Sequence, residues 1–270
     1  MRPRKSLGQH WLADRQVLQR IAEEADFTPE DTVIEVGAGP GALTRLLAER
    51  ATHLIANEID HKLAAKLRHE FAASATVRVV EADVLAVSVY DLLREGGGGL
   101  PYVVVGNLPY FIGTAIVRRF LHAPVRPRWL IVTLQSEVAE SIAAEPGRLT
   151  YLGVEAQMYA TARILFTIPP SAFDPPPKVH SAVVRLDILD VPEVEVDNRD
   201  AMLALVHEGF AAPRKRIRNS LAIGQRTTPG EAEQLLAAAG IDPQKRPAEL
   251  DLQDWKRLYF AHLQAGQRAT

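Results

Sequence analysis

The hydrophobic pattern of the first half of the chain alternates between short β-branched runs and stretches with helical spacing. Five apolar runs of strand length occur between residues 32 and 133, and apolar residues three or four positions apart recur in the segments between them. Because strands that alternate with helices pair in parallel, this pattern predicts a doubly wound α/β sheet. The predicted strands are Thr32–Val36, His53–Ile59, Val77–Val80, Tyr102–Val105 and Trp129–Thr133, and the predicted helices are Gly41–Arg50, Lys62–Ala72 and Thr114–His122.

Two further apolar runs follow this region and end the predicted sheet. Ala160–Ile168 and His180–Leu189 have strand composition, and the proline-rich segment Pro169–Pro177 separates them. A parallel crossover needs a longer connection than this segment provides. We therefore expect an antiparallel last strand in an otherwise parallel sheet.

Only helical patterns remain after about Asp190. One of them begins with Thr228 as the N-cap, Pro229 at the first helical position and Glu231 as a capping-box acid, which is a strong helix start. We predict a sheet domain over residues 1–189 and a small all-helical domain over residues 190–270. The predicted helices are Asp200–Phe210, Arg214–Ile223, Pro229–Ala239 and Asp251–Gln264.

Composition and charge restrict the chemistry of this chain of 270 residues. It contains no cysteine, which excludes a thiol nucleophile and cysteine-based zinc or iron–sulfur sites, and we expect no metal. The net charge of −2 argues at first against a nucleic-acid partner, because such proteins carry an electropositive surface. The basic residues are clustered, however, at Arg2, Arg4 and Lys5, at Arg118, Arg119, Arg126 and Arg128, and at Arg214, Lys215, Arg216 and Arg218. The last cluster has no acid within it, so it is the best candidate for contacts to nucleic-acid phosphates.

An uncharged stretch from Gly99 to Val117 has the length of a membrane span. Pro101, Asn107 and Pro109 interrupt it, so it cannot form one continuous helix. No apolar signal core follows the basic N-terminus. We expect a cytoplasmic protein without a membrane partner, and nothing in the sequence requires more than a monomer.

A glycine-rich loop joins the first predicted strand to the helix that follows it. Gly37, Gly39 and Gly41 let the backbone turn sharply and approach a ligand closely, at the end of the sheet where doubly wound folds bind cofactors. The same residues fit the G-x-G-x-x-A pattern of dinucleotide sites. The loop therefore predicts a nucleotide cofactor. It leaves open whether this cofactor is a dinucleotide or another adenosine-containing ligand.

Acidic residues stand at the ends of the next two predicted strands. Glu58 lies 21 residues after Gly37, where a carboxylate can accept hydrogen bonds from both ribose hydroxyls of either cofactor class. The third strand ends in Glu81 and Asp83, and a carboxylate there can accept from an adenine amino group. Together with the glycine loop, these acids favour an adenosine-containing ligand.

The fourth predicted strand leads into Asn107, Leu108, Pro109 and Tyr110, and this segment decides between the two classes. Methylation of an exocyclic aromatic amine is difficult because the nitrogen lone pair is delocalised into the ring. The Asn107 side-chain oxygen and a neighbouring backbone carbonyl can accept from the amino hydrogens and direct the lone pair at an electrophilic methyl group. Pro109 stiffens the loop, and Tyr110 can stack on the nucleobase that carries this amine. A dinucleotide-dependent enzyme that transfers hydride does not need this combination.

With these motifs the chain resembles the ribosomal RNA adenine N6-dimethyltransferases, most closely those that act on the bacterial small subunit (16S). The resemblance extends over about residues 4–260. It departs from the family pattern at Trp11, which replaces a phenylalanine, at Ser136, which replaces a lysine, and at Pro213, which replaces an arginine. The segments that carry the resemblance are Arg4–Leu12, Val33–Thr44, Asn107–Tyr110, Phe173–Val183 and Phe210–Leu221, together with Glu58 and Asp83.

The resemblance implies a class I methyltransferase that takes its methyl groups from S-adenosyl-L-methionine. The substrate it implies is 16S rRNA within the small ribosomal subunit or its precursor, dimethylated at two adjacent adenosines near the 3′ end. The implied cofactor residues are His10, Leu12, Gly37, Gly39, Glu58, Asp83 and Asn107. The implied catalytic residues are Asn107, Leu108, Pro109 and Tyr110, and the implied RNA-binding residues are Arg214, Lys215, Arg216 and Arg218.

Three alternatives to this function remain at this point. A 23S rRNA adenine methyltransferase of the macrolide-resistance type would share the Asn107–Tyr110 chemistry, although the segment Arg246–Leu250 favours the small-subunit function. A protein that mainly checks ribosome assembly would use the basic cluster and need methylation only secondarily. A dinucleotide-dependent oxidoreductase would use the glycine loop alone.

Overall fold

The computed structural model describes residues 10–190 and 196–268. The predictions for Arg2, for Arg4–Gln9 and for the start of the helical domain at residues 191–195 lie outside the described residues. Within the described parts, the chain divides into two compact units. The first comprises the described residues up to 139 together with residues 162–188, and the second comprises residues 140–161 and those from 189 onwards.

The first unit is built on a seven-stranded sheet with the strand order β4-β3-β2-β5-β6-β9-β7. Strands β2 to β6 pair with one another in parallel, which confirms the predicted doubly wound arrangement. The chain moves outwards from β2 to β4 and then returns to the other side of β2 with β5, so the switch point lies between β2 and β5. The strands are β2 (Thr32–Val36), β3 (His53–Glu58), β4 (Val77–Glu81), β5 (Tyr102–Asn107), β6 (Trp129–Gln135), β7 (Ala160–Ile168) and β9 (Ser181–Ile188).

Strand β9 confirms the predicted antiparallel last strand. It lies between β6 and β7, and it pairs with β6 in an antiparallel register that matches Trp129 with Asp187 and Gln135 with Ser181. The central strands β2 and β5 are buried on both faces, as their continuous β-branched runs require. The helices that connect the strands are α1 (Arg15–Glu24), α2 (Ala42–Ala48), α3 (His61–Glu70), α4 (Val89–Glu95) and α5 (Gly113–Leu121).

A second, very small sheet joins the start of the described chain to the proline-rich segment. Strand β1 (Trp11–Leu12) pairs with β8 (Phe173–Asp174) in antiparallel fashion, and the N–H groups of Ala13 and Asp14 donate to the Ala172 carbonyl. The sequence pattern did not predict either strand, because each has only two residues. This pairing holds His10–Leu12 beside the first unit's pocket.

The second unit is helical, with α7 (Tyr151–Gln157), α8 (Arg199–Gly209), α9 (Ile217–Gln225), α10 (Pro229–Ala238) and α11 (Leu252–Arg268). The capping box predicted at Thr228 is present. Helix α6 (Ser136–Ile142) spans the boundary between the units. Residues 140–161 group with the second unit, although the sequence analysis placed them with the sheet, so the predicted boundary at residue 189 stays a prediction.

The prediction that a helix begins at Arg214 is wrong. Helix α9 begins at Ile217, and residues 210–216 form a turn that Ser220 holds in place. The Ser220 hydroxyl donates to the Gly209 carbonyl (2.6 Å) and accepts from the Ala212 N–H (2.8 Å). The Ile217 N–H donates to the Lys245 carbonyl (2.7 Å), so the first turn of the helix is tied to a distant segment that a local pattern does not reveal.

Gly224 of α9 packs closely against the Glu208 main chain of α8. A Cβ atom at this position would overlap the Glu208 main chain, which cannot move away as a side-chain end could. We expect Gly224→Ala to lower the free energy of unfolding by about 2–4 kcal/mol, since overpacking against backbone forces the helices apart. Thermal unfolding would show this, with Gly266→Ala as the control because a Cβ atom there meets no atom within 4 Å. Equal unfolding temperatures for the two variants would contradict the close packing.

In the described part of the chain, no helix is both long and apolar enough to span a membrane.

Candidate active site

All ten residues predicted for the cofactor and the chemistry line one pocket of the first unit. The pocket lies at the carboxyl ends of β2, β3 and β5, at the switch point where doubly wound sheets bind ligands. This is the convergence that the strand-end positions predicted. The ten residues are His10, Leu12, Gly37, Gly39, Glu58, Asp83, Asn107, Leu108, Pro109 and Tyr110.

The glycine loop turns by means of backbone conformations that side chains rarely adopt. Gly37, Gly39 and Gly41 have φ angles of +72°, +57° and +85°. The Gly37 and Ala38 N–H groups both donate to the Asn57 carbonyl, at 2.9 and 3.0 Å, which fixes the loop to the end of β3. A side chain at Gly41 would also overlap Leu67. The loop is therefore held open as a shallow cradle beside β3.

Glu58 joins the end of β3 to this loop. Its carboxylate accepts from the N–H groups of Gly39 and Asp60, both at 2.8 Å, and the residue is 4% exposed. Burial raises the pKa of the Glu58 carboxyl, and the two N–H donors oppose that rise. Each carboxylate oxygen has a second lone pair, so both can still accept a hydroxyl from a ligand.

The two acids at the end of the third strand have different surroundings. Asp83 lines the pocket, and its carboxylate accepts from the Leu85 N–H (2.9 Å), which aligns it with the pocket wall. Glu81 instead binds His61 and Arg68, both at 2.8 Å, at the surface. Hydrogen bonds from Arg68 and then His61 lower the pKa of the Glu81 carboxyl. Of the two acids, the structure brings only Asp83 to the pocket.

Asn107 has one half of its side-chain amide fixed and the other half unused. Its Nδ2 donates to the His10 carbonyl (3.2 Å), while its Oδ1 is buried and has no hydrogen-bond partner among the described residues. Gly106 permits this placement, because a side chain there would meet the Val36 carbonyl. The anchored nitrogen leaves the oxygen as a buried acceptor in the pocket.

The N-terminal segment covers the pocket from the side of β1. The His10 imidazole stacks on the Tyr110 ring, with 5.6 Å between centroids and 22° between the planes. His10 Nδ1 lies 2.7 Å from the Pro175 carbonyl, and since a carbonyl only accepts, this nitrogen carries the proton. The Trp11 indole lies over the glycine loop, 3.7 Å from where a Cβ of Gly39 would stand.

Arg45 is a pocket-supporting residue that the motifs did not identify. Its guanidinium binds both carboxylate oxygens of Glu70, at 2.6 and 2.9 Å, and donates to the Pro40 carbonyl (3.2 Å). It thereby ties the glycine loop to α3. Asn57 has a similar role, because its Nδ2 donates to the carbonyls of Val80 (3.3 Å) and Ala82 (3.0 Å) and joins the ends of β3 and β4. The contacts of both side chains are long-range, so spacing could not reveal them.

Glu35 is a second buried acid of the pocket, and the sequence analysis gave it no role. It is 2% exposed, and its Oε2 has no hydrogen-bond partner among the described residues. Burial raises the pKa of the Glu35 carboxyl to about 8, and the negative charge of Glu58 contributes to that rise. Glu35 is therefore protonated near neutral pH.

This raised pKa predicts a pH-dependent loss of stability. Between about pH 4.5 and pH 8 the unfolded chain ionises Glu35 while the folded chain does not, so the free energy of unfolding falls by about 1.4 kcal/mol per pH unit from this group. Glu35→Gln removes the titrating proton and its contribution. We therefore expect urea unfolding at pH 5, 6.5 and 8 to show that the free energy of unfolding of the Glu35→Gln variant increases relative to that of the wild type as the pH rises. A constant difference would mean that Glu35 ionises in the folded protein as it does in water.

The basic cluster of the first unit makes local contacts instead of an open cationic surface. Arg119 donates to the Val87 carbonyl (2.7 Å), Arg126 to the Leu121 carbonyl (2.9 Å), and Arg128 pairs with the buried Asp31 (2.8 Å). Breaking a buried ion pair leaves an uncompensated charge, so Arg128 contributes to the stability of this unit. These three arginines are therefore occupied within the fold.

The predicted RNA-binding residues of the second unit fall into two groups. Arg214 and Lys215 are exposed in the turn before α9, and their side chains form no hydrogen bond or ion pair with the described residues. Arg216 is also exposed and binds Gln244, whereas Arg218 is half-buried and pairs with Glu233 (3.3 Å). A ligand would meet Arg214 and Lys215 first.

The fold and the pocket together place this chain among the Rossmann-like methyltransferases, in which an adenosine cofactor lies at the switch point of the sheet. More narrowly, the chain belongs to the ribosomal RNA adenine dimethylase family, whose sequence model matches residues 1–261.

Individual relatives agree with this membership. The ribosomal RNA small subunit methyltransferase A of Alkaliphilus oremlandii is 38% identical over 254 residues, which cover 93% of this chain and 88% of that protein. The crystal structure of the 23S rRNA methyltransferase ErmE is 30% identical, covers 93% of this chain and 98% of its own, and has a TM-score of 0.72. A dimethyladenosine transferase from Plasmodium falciparum, at 20% identity, shares the fold with a TM-score of 0.79 over 95% of this chain and 98% of that one.

Proposed function

We propose that this protein transfers methyl groups from S-adenosyl-L-methionine to N6 of two adjacent adenosines near the 3′ end of 16S rRNA during assembly of the small subunit. The observation that carries the proposal is Asn107, whose Nδ2 is anchored while its buried Oδ1 is unpaired among the described residues. An unpaired buried acceptor costs stability, and a donor from the substrate would compensate it. The N6 amino group of adenine is such a donor.

The residues of the pocket fit the proposed cofactor. Glu58 would accept the ribose hydroxyls and Asp83 the adenine amino group, because both carboxylates lie at neighbouring strand ends in one pocket. The cradle formed by Gly37 and Gly39 admits the cofactor backbone, and His10 and Leu12 would close over it. When bound, adenosylmethionine supplies a methyl group on a sulfonium, which is electrophilic without any metal.

The chain's own residues would prepare the nitrogen for attack. Asn107 Oδ1 and the Leu108 carbonyl accept the two amino hydrogens, whereas the Pro109 carbonyl is already occupied by the Ile112 N–H (3.1 Å). These bonds hold the lone pair out of the ring plane and towards the methyl group. The new N–C bond would replace the bond between the methyl group and sulfur, which leaves a neutral thioether, and the nitrogen, made acidic by the transfer, would release its proton to solvent without a strong base.

Tyr110 would hold the target adenine in place by stacking. Tyr110 lines the pocket with His10 stacked on its ring, and a flipped adenine would meet the phenol ring from the pocket. In the second unit, Arg214, Lys215, Arg216 and Arg218 would bind RNA phosphates. Such contacts position the RNA without reading its sequence, so base capture in the pocket supplies much of the selectivity.

The identity of the relatives favours small-subunit RNA as the substrate. The 38% identical relative carries the small-subunit name, while the 23S rRNA methyltransferase ErmE is 30% identical. Primer extension after incubation of both purified subunits with adenosylmethionine distinguishes them, because dimethylated adenines stop the polymerase. We expect stops only in small-subunit RNA, and stops only in large-subunit RNA would overturn this assignment. The cytoplasmic location, the monomeric state and the absence of a metal stay predictions.

A further inference from the structure

The Tyr110 ring, which would stack on the target adenine, is held from three directions. Its hydroxyl shares a hydrogen bond with the Ser181 hydroxyl at 2.5 Å. The His10 imidazole covers one face, and the Phe173 ring approaches edge-on with 6.5 Å between centroids and 69° between the planes. The hydroxyl oxygen lies on the axis about which the ring turns, so this bond fixes the position of the outer end of the side chain, while His10 and Phe173 contact the ring itself.

Ser181 is buried at a position where its side chain has little to bind other than the Tyr110 hydroxyl. It is the first residue of β9, its main chain pairs with Gln135, and it is 0% exposed. Among the described residues, the Tyr110 hydroxyl is the one hydrogen-bond partner of its side chain. Burial also raises the pKa of the Tyr110 hydroxyl, while the bond to Ser181 opposes that rise, so the phenol stays protonated at neutral pH.

We infer that Ser181 is a positioning residue, whose hydroxyl holds the Tyr110 ring at the angle from which the target adenine meets Asn107. This inference rests on the proposed function, and it adds to it a residue that does not touch the base. The base stacks on the phenol ring wherever the ring lies, and Ser181 fixes the hydroxyl end of that ring. The same His10 residue covers the ring and accepts from Asn107 Nδ2, so ring and amide are held by one segment.

A positioning role predicts a loss in the chemical step without a loss in binding. Ser181→Ala releases the hydroxyl end of the phenol from its position, and Tyr110→Phe keeps the ring but removes the same hydrogen bond. We expect each variant to lower kcat about tenfold, since one net hydrogen bond no longer favours the productive orientation. KM for the subunit and Kd for adenosylmethionine should stay unchanged, because neither Ser181 nor the Tyr110 hydroxyl is placed to contact them.

A double-mutant cycle on under-methylated small subunits tests this directly. If Ser181 acts through the Tyr110 hydroxyl, the double variant loses no more activity than either single variant. Ser181→Thr, which keeps the hydroxyl, should restore most of the rate. Tyr102→Phe is the matched control, because the Tyr102 hydroxyl donates to the Val125 carbonyl (2.8 Å) from the opposite end of β5. It should lower stability and leave kcat unchanged.

Two results would overturn the inference. Losses that multiply in the double variant would mean that Ser181 and the Tyr110 hydroxyl act independently, and wild-type kcat for Ser181→Ala would mean that the bond does not matter. Failure of the proposed function is distinguishable, because the wild type would then leave small-subunit RNA unmethylated. If the wild type methylates large-subunit RNA instead, the same cycle on that RNA still decides the role of Ser181.

Discussion

Replacing Asn107 with alanine is expected to lower the rate of methyl transfer about a thousandfold or more, while binding to the small subunit persists. The variant removes the buried Oδ1 acceptor and the Nδ2 bond to His10 together. Removal of one preorganised polar group from a reacting centre costs about 10²–10³ in rate, and the lost orientation adds to that loss. The basic residues of the second unit are untouched, so affinity for RNA has no reason to change.

Single-turnover methylation with radiolabelled adenosylmethionine measures the rate of methyl transfer. Co-sedimentation with under-methylated small subunits measures binding. Asn198→Ala is the matched control, because the Asn198 carboxamide caps α8 by accepting from the Ala201 N–H (3.0 Å) outside the pocket. Full activity in the Asn107→Ala protein would remove Asn107 from the chemistry. Retained binding without methylation is also what a protein with a separate role as an assembly checkpoint would show.

Neutralising Arg214 and Lys215, the two exposed cations before α9, is expected to weaken binding to the small subunit and to reduce the salt dependence of that binding. Arg214→Gln and Lys215→Gln together remove two positive charges that no described residue compensates. Each lost phosphate contact lowers the slope of log K against log salt concentration by about 0.7–0.9. We therefore expect the slope to become shallower by about 1.5 and the affinity to fall at least about tenfold at moderate salt.

The control is Lys62→Gln with Lys66→Gln, which removes the same charge from exposed positions on α3 of the first unit. If the slope of log K against log salt concentration changed equally in both double variants, total charge would matter and the placement of Arg214 and Lys215 would not. Arg218→Gln serves as a second comparison, because Arg218 already pairs with Glu233. Loss of Arg218 should therefore change the salt slope less than loss of Arg214 or Lys215, and should lower the unfolding temperature more.

The sequence predicted the sheet well because its signal is local. The buried parallel strands are continuous β-branched runs, and Thr32–Val36 and Ala160–Ile168 begin and end where they were predicted. The glycine loop was equally clear, since three positive φ angles require glycine at Gly37, Gly39 and Gly41. From the order of the strands, the polar residues at their ends were expected to meet, and all except Glu81 line one pocket.

The features that the sequence did not predict depend on contacts between segments that are distant along the chain. Arg214 looked like the start of a helix, but Ser220 and Lys245 set the start at Ile217. Residues 140–161 group with the helical unit through packing that no local pattern expresses. Glu35 looked like the last polar residue before a glycine turn, and only its burial reveals the raised pKa. Sequence spacing identifies which residues share a site, whereas burial and hydrogen bonding determine what each one does there.

The central claim is that this pocket dimethylates adenine N6 in small-subunit RNA. The most direct measurement is methyl transfer from labelled adenosylmethionine to under-methylated small subunits, followed by nuclease digestion and identification of the labelled nucleoside. The account predicts N6,N6-dimethyladenosine, from two adjacent positions near the 3′ end of the RNA, and no label with the Asn107→Ala variant. Label confined to another nucleoside, to the ribose, or to large-subunit RNA offered in the same experiment would contradict it.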